Sequence, residues 1–257
     1  MNEKIDFKGS VVLNPVPVVL ITSKNKEGKE NVFTVAWTGT VCTKPPMLSI
    51  SVRPERLSYE YIKETMEFTV NLPTSKMTKA VDYCGVRPGR KFDKIKEMNF
   101  TMKEGTNINV PYIDECPISI ECKVKSIIPL GTHDLFIAEV VGSHVDSKLM
   151  DEKGKIHFEE ADLITYCHGE YFKMDKYPLG KFGYSIAKKP MTVKYNSKPI
   201  EKENATATSK ETDSSKHKSQ NKNNNYKSLS SSKKRTNSNS KPKNSKKNTT
   251  FAKRKTK

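Results

Sequence analysis

"NVFTVAWTGTVCTKPPMLSISVRPERLS", residues 31–58, gathers the chain's only Trp, two consecutive prolines, two arginines and a row of small hydroxyl residues into one stretch. The Val and Phe suit a core strand, whereas the rest asks for a different explanation. The spacing predicts a strand ending at Trp37, a Thr-Gly-Thr-Val-Cys-Thr loop over 38–43, and an alternating strand "MLSISV" at 47–52 bounded by Pro45, Pro46 and Pro54. A helix over "YEYIKETM" follows, with Ser58 as its N-cap and Glu60 in its first turn. Arg53, Arg56 and a Ser-capped helix start together make an anion site, because free helix N–H groups and two guanidinium forks all favour phosphate. The alternative is that both arginines are ordinary surface charges and Trp37 a core residue.

Outward from this stretch, period two and short apolar runs dominate. "PVVLITS" at 17–23 is a continuous apolar run, followed by the polar turn "KNKEGKEN" with Gly28 and then by "VFTVAW". That order predicts a hairpin whose first strand is buried on both faces. "EFTVNL" at 67–72 alternates; "PISIECKVKSII" places Ile118, Ile120, Cys122 and Val124 on one face; "HDLFIAEVVGSHV" forms a long strand after a Gly131 turn. A second helix is predicted in "SKMTKAVDYCG", where Met77, Ala80, Val81 and Cys84 recur at i, i+3, i+4 and i+7 and Gly85 closes the element. At least six strands with sparse helices argue for a mainly β (α+β) domain, a small antiparallel barrel with helices packed outside.

Charge divides the chain. Residues 1–190 hold 27 Lys and Arg against 25 Asp and Glu, whereas residues 191–257 hold 19 against 4, so the basic balance belongs almost wholly to the last quarter. That Lys, Asn, Ser and Thr-rich segment has too few apolar residues to offset its chain entropy, and it is expected to be a disordered basic tail beside one domain at 1–190. The five cysteines, Cys42, Cys84, Cys116, Cys122 and Cys167, include no CxxC pair. Reduced thiols in a cytoplasmic protein fit this better than a disulfide framework or a zinc site. Neither a signal peptide nor a membrane span is expected, because the apolar stretch near the start is late and broken by prolines.

The ordered motifs N-x-x-T-x-A-W, C-T-K-P-P-x-L-S-I-S-V-R-P-x-R-x-S and E-F-T-V-N-L-P resemble the flavin reductase-like, FMN-binding split-barrel family, and within it the flavoredoxin group. The similarity continues through "RPGRKFDK" at 87–94 and "LGTHDLFIAEVV" at 130–141 to "YFKMDKYPLGKFG" at 171–183. It departs at Pro88, where the family carries a Ser, and at Ala138, where a Gly is common. The resemblance implies a six-stranded antiparallel Greek-key split β-barrel with short peripheral helices. It also implies a cofactor-contacting set of Asn31, Thr34, Val35, Ala36, Trp37, Val41, Cys42, Ser51, Val52, Arg53, Arg56, Ser58, Arg90, Lys94 and Tyr166. The Trp37 region and the small residues after it would lie along the isoalloxazine, and Arg with Ser or Thr would take the phosphate. Lys94 would donate to the ribityl chain or phosphate, or balance the charge of reduced flavin; the other reading is a solvated Lys in a charge run. His133 would hydrogen-bond the ring or orient a nicotinamide, and is the catalytic candidate. Cys42 is open to a redox reading or to that of an inert small residue.

The implied reaction is hydride transfer from NADH or NADPH to FMN, with electrons then passed onward. No G-x-G-x-x-G follows a strand, so the nicotinamide would have to stack transiently over the flavin. One alternative is a flavoredoxin-type electron carrier fed by a redox partner protein without NAD(P)H. Another is a binding module fastened by its basic tail to nucleic acid or other polyanions. A homodimer is expected from the resemblance, and no metal site.

Overall fold

The computed structural model describes residues 3–187. The expectation of disorder over 191–257 lies outside them. The apolar run at 17–23 spans β1 (Val16–Pro17) and β2 (Val19–Lys24), and the turn after it leads to β3 (Glu30–Val35). Gly28 takes a φ of 84° in that turn, a backbone region that favours glycine. The remaining elements are β4 (Thr38–Thr43), β5 (Pro46–Val52), α1 (Leu57–Thr65), β6 (Glu67–Leu72), α2 (Thr78–Val86), α3 (Lys94–Glu97), β7 (Met102–Lys103), β8 (Tyr112–Ile113), β9 (Ile118–Pro129), β10 (Asp134–Val145), β11 (Ile164–Cys167) and β12 (Glu170–Lys173).

The main sheet has the order β3-β2-β6-β9-β10-β5-β4, and every neighbouring pair is antiparallel. It holds seven strands rather than six, because residues 38–43 form β4 instead of a loop. Alternating β-branched threonines suit an edge strand that keeps little buried, and Thr38 Oγ1 donates to the Ser49 carbonyl at 2.8 Å. The sheet closes on itself. Phe33 and Val35 near one edge share a core with Leu48, Ile50 and Val52 near the other, together with Phe68, Cys122 and Phe136. The two edges, β3 and β4, are joined directly through Ala36 and Trp37.

β2 explains the continuous apolar run: Val19 and Ile21 face the barrel core, while Leu20 faces a second core with Val32, Val81 and Cys84. A strand buried on both faces reads as a near-continuous apolar run, and its two buried polar residues, Thr22 and Ser23, are both hydrogen-bonded, to the Pro111 carbonyl and to Ser58 Oγ. The second core seats α2 against β3. Gly85 lies inside α2 rather than ending it, and a Cβ there would stand 3.4 Å from Thr34 Cβ, so its small size serves the approach of helix to strand. A three-stranded sheet, β1-β11-β12, and the β7–β8 pair complete the strands. Among the described residues no helix is long and apolar enough to cross a membrane.

Candidate functional site

Two adjoining cavities open beside the end of β3. The first, of about 330 Å³, is lined by Asn31, Phe33, Glu55, Arg56, Leu57, Ser58, Arg87, Pro88, Gly89, Arg90 and Lys94. The second, of about 190 Å³, is lined by Phe33, Thr34, Val35, Ala36, Trp37, Ser51, Val52, Arg53, Arg56 and His133. Phe33 and Arg56 line both and join them.

The first cavity is a cage of cations. Arg56 stands where β5 gives way to α1, and among the described residues no carboxylate pairs with it. Arg90 is paired to Glu60, and Arg87 lies over the rings of Tyr83 and Phe92. Lys94, the first residue of α3, is only 3% exposed. Its Nζ donates to the Cys84 carbonyl at 3.2 Å. Burial brings the Lys94 pKa down to about 8, against an opposing influence of Cys84 and with a lesser repulsion from Arg56. The backbone comes in closely here. A Cβ on Gly89 would stand 2.4 Å from Asn31 Oδ1, so only glycine fits against that side chain.

Ser58 differs from its expected role. The N-cap of α1 is Arg56, with no side-chain cap bond, and Ser58 is buried in the first turn. Its Oγ accepts from Asn31 Nδ2 at 2.7 Å and from Ser23 Oγ at 2.8 Å, which fills both lone pairs and ties α1 to the β2–β3 hairpin. The Ser58 hydroxyl therefore fixes Asn31 in the cage.

The second cavity owes its shape to register. Val52 pairs with Asp134, which sets His133 beside Arg53 across the β5–β10 ladder. Tyr59 Oη donates to Asp134 Oδ2 at 2.7 Å and pins α1 to the same corner. Burial, then Arg53 and Arg56, hold the His133 pKa below its ordinary value, so the ring is neutral at physiological pH. Trp37, 39% exposed, stands at the rim, and its carbonyl accepts from the Ser51 amide at 2.9 Å.

Of the residues expected from the sequence, the structure brings thirteen of the sixteen around these two cavities, His133 included. Val41, Cys42 and Tyr166 lie elsewhere. Val41 and Cys42 fall on edge strand β4, where Val41 is 52% exposed and a register shift separates Thr40 from Cys42. Tyr166 pairs with Val16 in the small sheet and packs edge-on to Tyr171. Arg87, Phe33 and Gly89 line the site without having been singled out. The only signal for Arg87 is its place at the start of "RPGRKFDK", a stretch that carries the family resemblance.

A closed antiparallel sheet with β3 and β4 as its edges carries a cationic cage and a slot of small residues beside β3. The chain belongs to the flavin reductase like domain family, whose model matches residues 12–175. Two solved flavoredoxins are similar to it over their whole length. That of Methanosarcina acetivorans is 30% identical with a TM-score of 0.66, covering 72% of this chain and 100% of its own. That of Desulfovibrio vulgaris (Miyazaki F) is 25% identical with a TM-score of 0.67, covering 71% and 100%. An uncharacterized protein of Archaeoglobus fulgidus is 31% identical over 147 residues, 57% of this chain and 82% of that protein.

Proposed function

We propose that the chain is an FMN-binding oxidoreductase that takes hydride from NADH or NADPH and passes electrons onward. The observation that carries this reading is Lys94, a buried cation with no carboxylate partner among the described residues, in a cage shared with Arg56, Arg87 and Arg90. Such a donor set fits a phosphate monoester, because burying cations costs less when an anion meets them. Arg56, Arg87, Arg90 and Lys94 would hold the phosphate, and Asn31 a ribityl hydroxyl. The backbone of Thr34, Val35 and Ala36, with Trp37 and Ser51, would border the ring. Bound FMN supplies the redox chemistry. The chain supplies position and charge: Arg56 bridges the two cavities, and neutral His133 offers a hydrogen bond without a second positive charge beside Arg53.

The absorbance spectrum of the purified protein, with mass identification of any released chromophore, tests the reading. A colourless protein that takes up no added FMN sinks it. The full-length match to two flavoredoxins favours a second reading, an electron carrier reduced by a protein partner. Anaerobic mixing with NADH or NADPH separates the two, since only a reductase bleaches the flavin rapidly. A homodimer is part of the proposal, supported by the exposed Phe7, Leu13, Leu179 and Phe182, and light scattering measures it. Residues 191–257 are proposed to contact polyanions through unspecific charge.

A further inference from the structure

Four cations line the first cavity, and one differs from the rest in its chemistry. Arg56, Arg87 and Arg90 carry guanidinium forks that stay charged, whereas Lys94 carries an amine that can shed its proton and act as a nucleophile. Its surroundings favour that loss. Lys94 is buried, and among the described residues no carboxylate pairs with it. Its bond to the Cys84 carbonyl uses an N–H and leaves the lone pair of the neutral amine free. The Cys84 thiol, pushed up to about 11 by burial, stays protonated near neutral pH and adds no counter-charge. At pH 8 about half of the Lys94 amine is neutral, on the order of a hundredfold more than in an ordinary lysine. The residue borders two openings, the cage of about 330 Å³ and a neighbouring cavity of about 360 Å³, so burial does not close it off.

We propose that Lys94 is an acylation site: the cage takes a small acyl phosphate by its phosphate, and the Lys94 amine accepts the acyl group. This rests on the phosphate reading of the cage. The neutral amine attacks the carbonyl carbon, the amide N–C bond forms, and the C–O bond to phosphate breaks. Phosphate leaves with the electron pair and takes the proton that the amine sheds, so the step needs no oxidant or reductant. The three guanidinium groups stabilise the charge that grows on the leaving phosphate, and holding both reactants in one cage replaces a bimolecular encounter. The acylated side chain has lost its charge and fills part of the cage. The residue assigned to grip the FMN phosphate then blocks it, which ties cofactor loading to the supply of activated acyl groups.

The test treats full-length protein, freed of bound flavin, with acetyl phosphate at pH 8 and reads acetylated lysines by peptide mass analysis. The N-hydroxysuccinimide ester of acetate, which has no phosphate, serves as the comparison donor. Thermal unfolding checks that the flavin-free protein and the variant Arg56→Gln/Arg87→Gln are folded. With acetyl phosphate, Lys94 is expected to be labelled about tenfold faster than exposed Lys29 and Lys91, and inorganic phosphate is expected to slow it. The double variant should lose that advantage while reacting with the ester as the parent does. Labelling of Lys94 no faster than that of Lys29 and Lys91, indifference to inorganic phosphate, or the same preference from the ester overturns the proposal. Protection of Lys94 by FMN supports the proposal and the flavin reading together. Labelling that inorganic phosphate slows and FMN does not supports the proposal and counts against the flavin reading alone.

Discussion

Among the described residues two charged side chains are fully buried, Lys94 and Glu121, and their surroundings are opposite. Glu121, on β9, has every oxygen engaged. Oε1 accepts from the Thr106 amide at 2.5 Å and meets His144 Nε2 at 2.7 Å, while Oε2 accepts from the Asn107 amide and Nδ2, each at 2.8 Å. Lys94 has three donors and one protein acceptor, the Cys84 carbonyl. A saturated buried charge holds a fold together; an unsaturated one beside a cavity is set for something that arrives later.

The sharpest way to break this contrast is to remove Glu121. Glu121→Ala strips acceptors from two amides, the Asn107 side chain and His144, and is expected to cost about 3–5 kcal/mol, read by urea unfolding. FMN affinity of the folded fraction should hold. A small loss of stability would mean that the carboxylate is not the anchor of the 105–109 segment. Lys94→Met should do the reverse. Stability stays level or rises as a desolvated cation is removed, while FMN binding weakens about ten- to a hundredfold and riboflavin binding does not. Equal loss for both flavins would take Lys94 out of the phosphate cage.

Titration separates the two groups again. Lys94 drops from an ordinary 10.5 to about 8 in the folded chain, so the unfolded state binds more protons between those values. Stability of the ligand-free protein from this group is therefore present at high pH and lost as pH falls through about 8. On the proposed phosphate contact, FMN affinity is expected to have the opposite slope, since only the charged amine would pair with phosphate. For Glu121, burial alone would raise the pKa, but the hydrogen bonds from His144, Asn107 and Thr106 outweigh it and hold the carboxylate low. Its contribution is present at neutral pH and lost in acid, as pH falls through that depressed value. Unfolding curves and FMN titrations across the range read both slopes. The smallest effect is expected at the rim of the second cavity. His133→Ala should retain FMN and slow anaerobic reduction by up to about tenfold, and an unchanged rate would leave the side chain a part of the turn alone.

Much of this arrangement was legible in the residues themselves. The two-sided burial of β2 follows from its unbroken apolar run, and the strand-end Trp37, Arg53 and Arg56 fall where their spacing puts them. Residues 38–43 read as a loop because an edge strand needs no apolar alternation, and the structure puts Val41 and Cys42 on that strand, outside the lining of the two cavities. Ser58 looked like an N-cap because Ser before a helical pattern is the usual signal. Its partners Asn31 and Ser23 come from a hairpin that local sequence cannot bring near. Arg87 was hidden for the same reason: its ring neighbours, Tyr83 and Phe92, meet it only once α2 ends and the following turn folds back.

The sheet order has a kinetic consequence. β5 emerges early during synthesis, yet its partner β10 arrives only after β6 through β9, so a long loop must close before the two can pair. Until then the chain has a β4–β5 hairpin with one open flank, and His133 has no place beside Arg53. The second cavity is accordingly among the last features to assemble. Uptake of the proposed flavin ring there would report on completed folding, and its rate in a refolding experiment should follow barrel closure rather than formation of the β2–β3 hairpin.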